Sequence, residues 1–263
     1  MDTVGILPAA GLCSRWNGTY KELLPTWENA WVIDSSIDDM KVAGVRDFVI
    51  VSSPNKIQTH VQHFSKNKYK DLNISFVIQY YPAGLYDAIK LALVASRKYD
   101  RFIFTMPDTI LGGIPCSLAS NILERYSGKI NFVLGIFPTD EPQNFGILKS
   151  YNADSTTAKY IEFEIIDKPD ADEILDCKKW YSFFDNKYHY VAWGMSAWTG
   201  EFTDFVLNSP EITSIGDAFN EYNKINKRKC LSSLMTRYVD LASWNDYALW
   251  MRENTQWMVE NTN

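Results

Sequence analysis

Several things are scarce in this sequence, and each scarcity excludes something. There are four cysteines in 263 residues, Cys13, Cys116, Cys177 and Cys230, with no CxxC pair and no metal-ligand spacing among them. Their scatter argues against a disulfide framework and fits a reduced, cytoplasmic protein. Histidine is limited to His60, His63 and His189. His60 and His63 could share one helix face, but no third ligand lies nearby in sequence, so the spacing predicts a solvated face. Basic charge is also in short supply. A formal net charge of −6 gives no field for broad nucleic-acid or membrane-surface binding. A small anionic substrate stays open, provided a few basic side chains converge. No apolar run approaches a membrane span, and the opening MDTVGILPAAG lacks the basic and apolar regions of a signal peptide. With no repeat, low-complexity tract or linker, the expectation is a single domain over residues 1–263.

Apolar residues are abundant at 46%, enough for a sizeable core. Residues 4–9 form an apolar run that ends in Gly11, the pattern of a buried strand entering a tight loop. Residues 31–43 read as a helix with Val32, Ile33, Ile37, Met40 and Val42 on its apolar face, closed by Gly44. Strands are predicted at 47–51, 74–79 and 102–106, and helices at 56–64 and 85–97. This alternation predicts an α/β fold, a three-layer sandwich around a mostly parallel, doubly wound sheet. The second half is less regular. Strands are expected at 132–137, 146–151, 159–166 and 188–198, and helices at 201–207, 217–226 and 246–258, giving the sheet a mixed far edge.

In such sheets, ligands bind beyond the carboxyl ends of the strands, and three polar features fall there. The first is the loop Ala9-Ala10-Gly11-Leu12-Cys13-Ser14-Arg15, with Lys21 six residues on. Small residues let backbone N–H groups face a phosphate, and two cations would help to hold it. The loop is no P-loop and no dinucleotide fingerprint; alone it reads as an ordinary turn. The second is Gln79, whose amide carries both a donor and an acceptor. The third is Asp108, a carboxylate placed to hold Mg²⁺ against phosphate oxygens, or simply to close a turn. Late in the chain, Asp246 could supply a second carboxylate or cap the last helix.

The segment GILPAAGLCSRWNGTYKELLP resembles the signature of sugar-1-phosphate nucleotidyltransferases: a strand, then Gly-x-Gly-Thr/Ser-Arg, then Lys-x-Leu-Leu-Pro. The likeness continues in order through AWVIDSSIDDMKVAGVRDFVIVSSP and later pieces, and is nearest to the glucose-1-phosphate thymidylyltransferases. It implies a glycosyltransferase-A-like nucleotidyltransferase fold, and condensation of a nucleoside triphosphate, dTTP or UTP first, with a sugar 1-phosphate to release pyrophosphate. It implies roles as well. Ala10 and Gly11 cradle phosphate, Arg15 stabilises the leaving pyrophosphate, and Lys21 positions the triphosphate. Gln79 reads a pyrimidine edge and Gly84 lets the base pack on backbone. Gly146, in Phe145-Gly146-Ile147, and Gly194 line the sugar pocket. Asp167-Lys168-Pro169 resembles Glu-Lys-Pro, with Lys168 on the sugar phosphate and Asp167 on a hydroxyl. Asp108 and Asp246, in a Trp-x-Asp-like triplet, share Mg²⁺. Family members are commonly oligomeric, so a homo-oligomer is compatible with the likeness.

The sequence departs from that pattern at Cys13 and Pro107, where the family has glycines, and at Tyr247-Ala248, where it has Gly-Thr. Other readings stay open: a cytidylyltransferase acting on phosphocholine or another alcohol phosphate, a methylerythritol-phosphate cytidylyltransferase, and a catalytically silent regulatory protein on the same fold.

Overall fold

The computed structural model describes residues 2–13, 16, 18–26, 30–111, 119–120, 123, 130–139, 141–153, 161–180, 189–192, 194–226, 230–234, 238–241 and 243–261. The chain begins β1 (Thr3–Pro8), α1 (Val32–Val42), β2 (Asp47–Ser52), α2 (Ile57–Phe64), β3 (Asn73–Ile78), α3 (Leu85–Ala95), β4 (Arg101–Thr105). These four strands pair in parallel in the order β3-β2-β1-β4. β2 and β3 are laid out to one side of β1, and β4 lies on the other. The direction of winding therefore reverses between β1 and β4, and a crevice opens at their carboxyl ends.

Alternation along the strands sorts the side chains into two cores. Val4 and Ile6 of β1, Val49 and Val51 of β2, and Phe102 and Phe104 of β4 pack toward α3. Leu7, Phe48, Ile50 and Ile103 point the other way, to Ile33, Ile37 and Met40 of α1 and Phe64 of α2. The period-two pattern thus builds three layers. Gly5 has a packing reason to be glycine. A Cβ there would come within 2.7 Å of the Phe48 ring and 2.8 Å of the Met40 sulfur.

The second half adds β5 (Thr109–Leu111), β6 (Phe132–Thr139), β7 (Gly146–Ala153), β8 (Ile161–Asp167), α4 (Ala171–Trp180), β9 (His189–Ala192) and β10 (Met195–Thr199). It continues with α5 (Gly200–Asn208), α6 (Ile215–Ile225), β11 (Cys230–Leu234), β12 (Tyr238–Asp240) and α7 (Trp244–Asn261). Among the described residues the main sheet has ten strands, ordered β3-β2-β1-β4-β10-β6-β9-β7-β8 with β11 on β6. β10 runs antiparallel to both β4 and β6, which makes the expected mixed far edge. β5 and β12 form a separate antiparallel ribbon.

Some expectations needed correction. Val42 is 70% exposed and not on the apolar face of α1; two residues beyond Met40 lie about 200° around a helix, away from the core. Within the strand expected at 188–198 the structure describes two, β9 and β10. The solvated histidine pair is buried instead, at 0% and 1% exposure. Burial is tolerated because each ring has polar partners. His60 Nδ1 lies 2.8 Å from Ser52 Oγ, and His63 Nε2 lies 2.8 Å from Asp34 Oδ1. Helix α4 and the short strands β5, β11 and β12 were not foreseen. Among the described residues no helix is long and apolar enough to cross a membrane.

Candidate active site

A cavity of about 530 Å³ opens at the crevice between the ends of β1 and β4, within the range of small-molecule sites. Its first wall is the segment leaving β1. Ala9 N–H donates to the Val51 carbonyl at 2.7 Å, tying the start of the loop to β2. Gly11 and Cys13 line the cavity, and a Cβ on Gly11 would meet nothing within 4 Å. Cys13 takes the left-handed conformation, φ +52°, which favours the glycine seen in the resembling family. Among the described residues, the backbone N–H groups of Ala10, Gly11, Leu12 and Cys13 meet no acceptor. Unpaired successive N–H groups in a loop are suited to an anion.

The second wall is carboxylate. Asp108 follows β4 in a turn closed by the Thr109 hydroxyl, which donates to the Met106 carbonyl at 2.8 Å. The Thr105 hydroxyl donates to the Gly194 carbonyl at 2.9 Å and so anchors β4 to the start of β10. Asp108 forms an ion pair with Lys21, which sits in the 3-10 turn Lys21–Leu23. Burial alone would lower the Lys21 ammonium. Asp108 beside it, with Asp240 and Cys13 further off, raises it above the usual lysine value instead. Asp240 also lines the cavity. The ribbon puts it there, since Asp240 of β12 sits opposite Thr109 of β5.

Asp246 is placed differently from the sequence-based expectation. It does not line this cavity. Its Oδ2 accepts from the Ser243 N–H and hydroxyl, both at 2.7 Å, while Asp246 N–H returns to Ser243 Oγ at 3.3 Å. This is a capping box at the start of α7. The Trp-x-Asp triplet drew attention away from Tyr238-Val239-Asp240, in which a carboxylate ends a short strand as Asp108 nearly does.

The third wall comes from the far half of the sheet. Asn144, Phe145, Asp167 and Lys168 line the cavity. Gly146 pairs with Asp167 across β7 and β8, and Lys168 N–H donates to the Phe145 carbonyl at 3.1 Å. Lys168 is left-handed at φ +49°, a conformation that is costly for a residue with a Cβ. At the end of β3, Gln79 is 6% exposed. Its Nε2 donates to the Gly84 carbonyl at 3.1 Å and to Asp87 Oδ2 at 2.8 Å. Gly84 needs its φ of +93° to start α3, and Leu85 beside it reaches the cavity.

The structure therefore gathers Gly11, Lys21, Asp108, Asp167 and Lys168 around one space. Ala10, Gln79, Gly84, Gly146 and Gly194 do not line it. Arg15 falls outside the described residues. Sequence reasoning missed Asp240, and also Lys56 and Glu22, which line the same cavity from beneath the loop. Two carboxylates, Asp108 and Asp240, lining one cavity with two lysines suit a hard cation such as Mg²⁺, which uses one or two carboxylates and completes its shell with water and phosphate. Among the described residues no three His, Cys, Asp or Glu side chains gather as metal ligands.

No curated protein matches the chain in sequence. Solved structures match over nearly its whole length. A protein named as a glucose-1-phosphate thymidylyltransferase from Bacillus anthracis, in complex with sucrose, aligns with TM-score 0.74 and 18% identity, covering 95% of this chain and 94% of that one. A UTP-bound UGPase from Acinetobacter baumannii aligns with TM-score 0.72 and 16% identity over 99% and 100%. A UDP-glucose pyrophosphorylase complexed with UDP-glucose aligns with TM-score 0.73 and 17% identity over 97% and 99%. Identities this low speak for the fold. The sequence profile of the nucleotidyl transferase family matches residues 17–253. The chain belongs to the nucleotidyl transferase family.

Proposed function

We propose that the protein joins a nucleoside triphosphate to a sugar 1-phosphate and releases pyrophosphate, with UTP or dTTP and glucose 1-phosphate as the first pair to test. The carrying observation is that two lysines from opposite halves of the chain, Lys21 and Lys168, line one cavity together with Asp108 and Asp240. Similar folds bind UTP in one case and UDP-glucose in another, which favours this substrate class.

A phosphate oxygen of the sugar 1-phosphate attacks the α-phosphorus of the triphosphate. A new P–O bond forms, and the bond to the bridging oxygen of the β-phosphate breaks. No general base is required, because the attacking phosphate is already ionised. The loop at residues 9–13 offers N–H groups to the triphosphate. Lys21 exchanges its carboxylate partner for phosphate, and Lys168 holds the acceptor phosphate with Asp167 beside it. Arg15 is assigned to the leaving pyrophosphate on sequence alone. Asp108 and Asp240 would hold Mg²⁺, which when bound neutralises charge on the reacting phosphates. The rest is positioning and electrostatics. Pro107 supplies no N–H on this wall, so carboxylate and lysine carry more of the binding. A cytoplasmic setting, where both substrates are made, belongs to the same reading.

The test is a pyrophosphate-release screen of the common triphosphates against sugar 1-phosphates and choline phosphate, with and without Mg²⁺. Release that requires a triphosphate and a sugar 1-phosphate together is expected. Release only with choline phosphate moves the enzyme to another acceptor class, and none with any pair ends the reading.

A further inference from the structure

Beneath the N-terminal loop lies a buried polar cluster that the chemistry above does not use. Lys56, the last residue before α2, is 2% exposed. Its Nζ donates to Glu22 Oε1 at 2.7 Å and to the Ala9 carbonyl at 3.1 Å, and it lies 3.5 Å from Cys13 Sγ. An ammonium has three protons, and each finds a partner. Glu22, 3% exposed, also has His60 Nε2 at 3.6 Å. Burial would raise the Glu22 carboxyl, but His60 and Lys56 hold it below the usual carboxylate range. The buried pair is thus neutral overall. Its sequence neighbour Lys21 turns the other way, to Asp108.

Burying an ion pair is a poor way to gain stability, because apolar side chains of similar size do as well or better. A reason for keeping this pair lies in what Lys56 holds. Two of its three partners belong to the loop, one at each end, and between them lie N–H groups with no acceptor among the described residues.

We infer that Lys56 is a positioning residue for the triphosphate. Its ammonium clasps residues 9 and 13 and fixes the loop with its N–H groups open, while Glu22 cancels the charge so that Lys56 does not bind phosphate itself. The inference rests on the reading that this loop receives a triphosphate.

The experiment compares wild type, Lys56→Met and the double variant Lys56→Met/Glu22→Met. The readouts are thermal denaturation, calorimetric titration with UTP and dTTP, and separate KM values for triphosphate and glucose 1-phosphate. Lys56→Met leaves Glu22 buried with His60 alone, so it should lose both stability and triphosphate affinity. The double variant should recover stability but keep a triphosphate Kd at least tenfold weaker than wild type, with the KM for glucose 1-phosphate moved less than threefold. Recovery of both stability and affinity in the double variant would assign the pair to packing and overturn the inference. If neither variant folds, Cys13→Ala removes only the loop's side of one contact. It should weaken UTP binding several-fold, and unchanged binding there also overturns the inference. A wild type that binds no triphosphate sinks the proposed function itself, whereas a binding wild type with equally tight variants sinks only this inference.

Discussion

Two aspartates six residues apart illustrate how a single carboxylate takes its meaning from its surroundings. Asp240 lines the cavity, and Asp246 closes a capping box on α7. Asp240→Asn should lower kcat at least about 100-fold, the scale expected when a charge-stabilising group is lost, with little change in melting temperature. Asp246→Ala should do the reverse, costing about 1 kcal/mol of stability and leaving kcat within a factor of two or so. Steady-state kinetics with thermal melts separates the two; a larger kcat loss in Asp246→Ala would return the metal role to that residue. Asp34 makes a third kind of use of a carboxylate. It is 1% exposed, and burial would raise it, but hydrogen bonds from His63, Lys68, Tyr69 and the Trp31 N–H bring it from 3.8 down to about 2. A depressed carboxyl stabilises the fold above its unfolded value, and that contribution fades as pH falls toward the folded value. The window is therefore about pH 4 to 2, and the contribution at neutral pH is about 2 kcal/mol. Urea unfolding of wild type and Asp34→Asn should show a stability gap that narrows by that amount across the window. A gap that stays constant would mean that Asp34 is not held ionised.

At the scale of the element, β1 and α1 meet through an absent side chain. Gly5→Ala places a methyl group against the Phe48 ring and the Met40 sulfur, and such overpacking costs about 1–3 kcal/mol. A shift in the denaturant midpoint at unchanged slope checks this. No shift would show that α1 moves aside freely. The same elements explain what could be read from sequence. β1 to β4 and α1 to α3 are runs of five to eleven residues with period 2 or 3.6, long enough for the pattern to stand out. β5 and β12 have three residues each, too few to show any period, and they place Asp240. Helix α4 carries too little apolar surface to announce itself, since Ile174 and Cys177 alone among its described side chains join the core. The histidines of α2 were misjudged because their partners, Ser52, Glu22 and Asp34, come from other elements. Lys21, Asp108 and Lys168 were singled out mainly through the ordered family signature, since each alone reads as an ordinary turn or surface residue, and all three line the cavity. Lys56 and Glu22 were not singled out, because nothing local in the sequence distinguishes a buried pair from an exposed one.

For the whole molecule, one apolar cluster runs from Val4 in β1 through Phe102 and Trp198 to Phe132, Phe219 and Cys230 in β11. Trp198 touches Phe102, Phe104, Phe132 and Phe202, with ring centroids 5.5 to 6.3 Å apart. The parallel and mixed parts of the sheet are thus bonded side to side through β10 and share a core. We propose that they unfold together as one domain. Far-UV and near-UV signals, with hydrogen exchange followed separately in β2 and β7, should report a single transition. Two resolved transitions would divide the chain into separate units. The acidic surface implied by a net charge of −6 offers no general attraction for a polyanion, so on the proposed reading affinity for phosphate is generated locally, at the loop and its lysines.

The ribbon of β5 and β12 stands apart from the main sheet, and its second strand follows every described strand of that sheet in sequence. A ribosome making this protein would release every strand of the large sheet before Asp240 could join Asp108. On the proposed reading, a product terminated just before residue 240 holds every described strand of the large sheet yet lacks one of its two metal carboxylates, and is therefore inert.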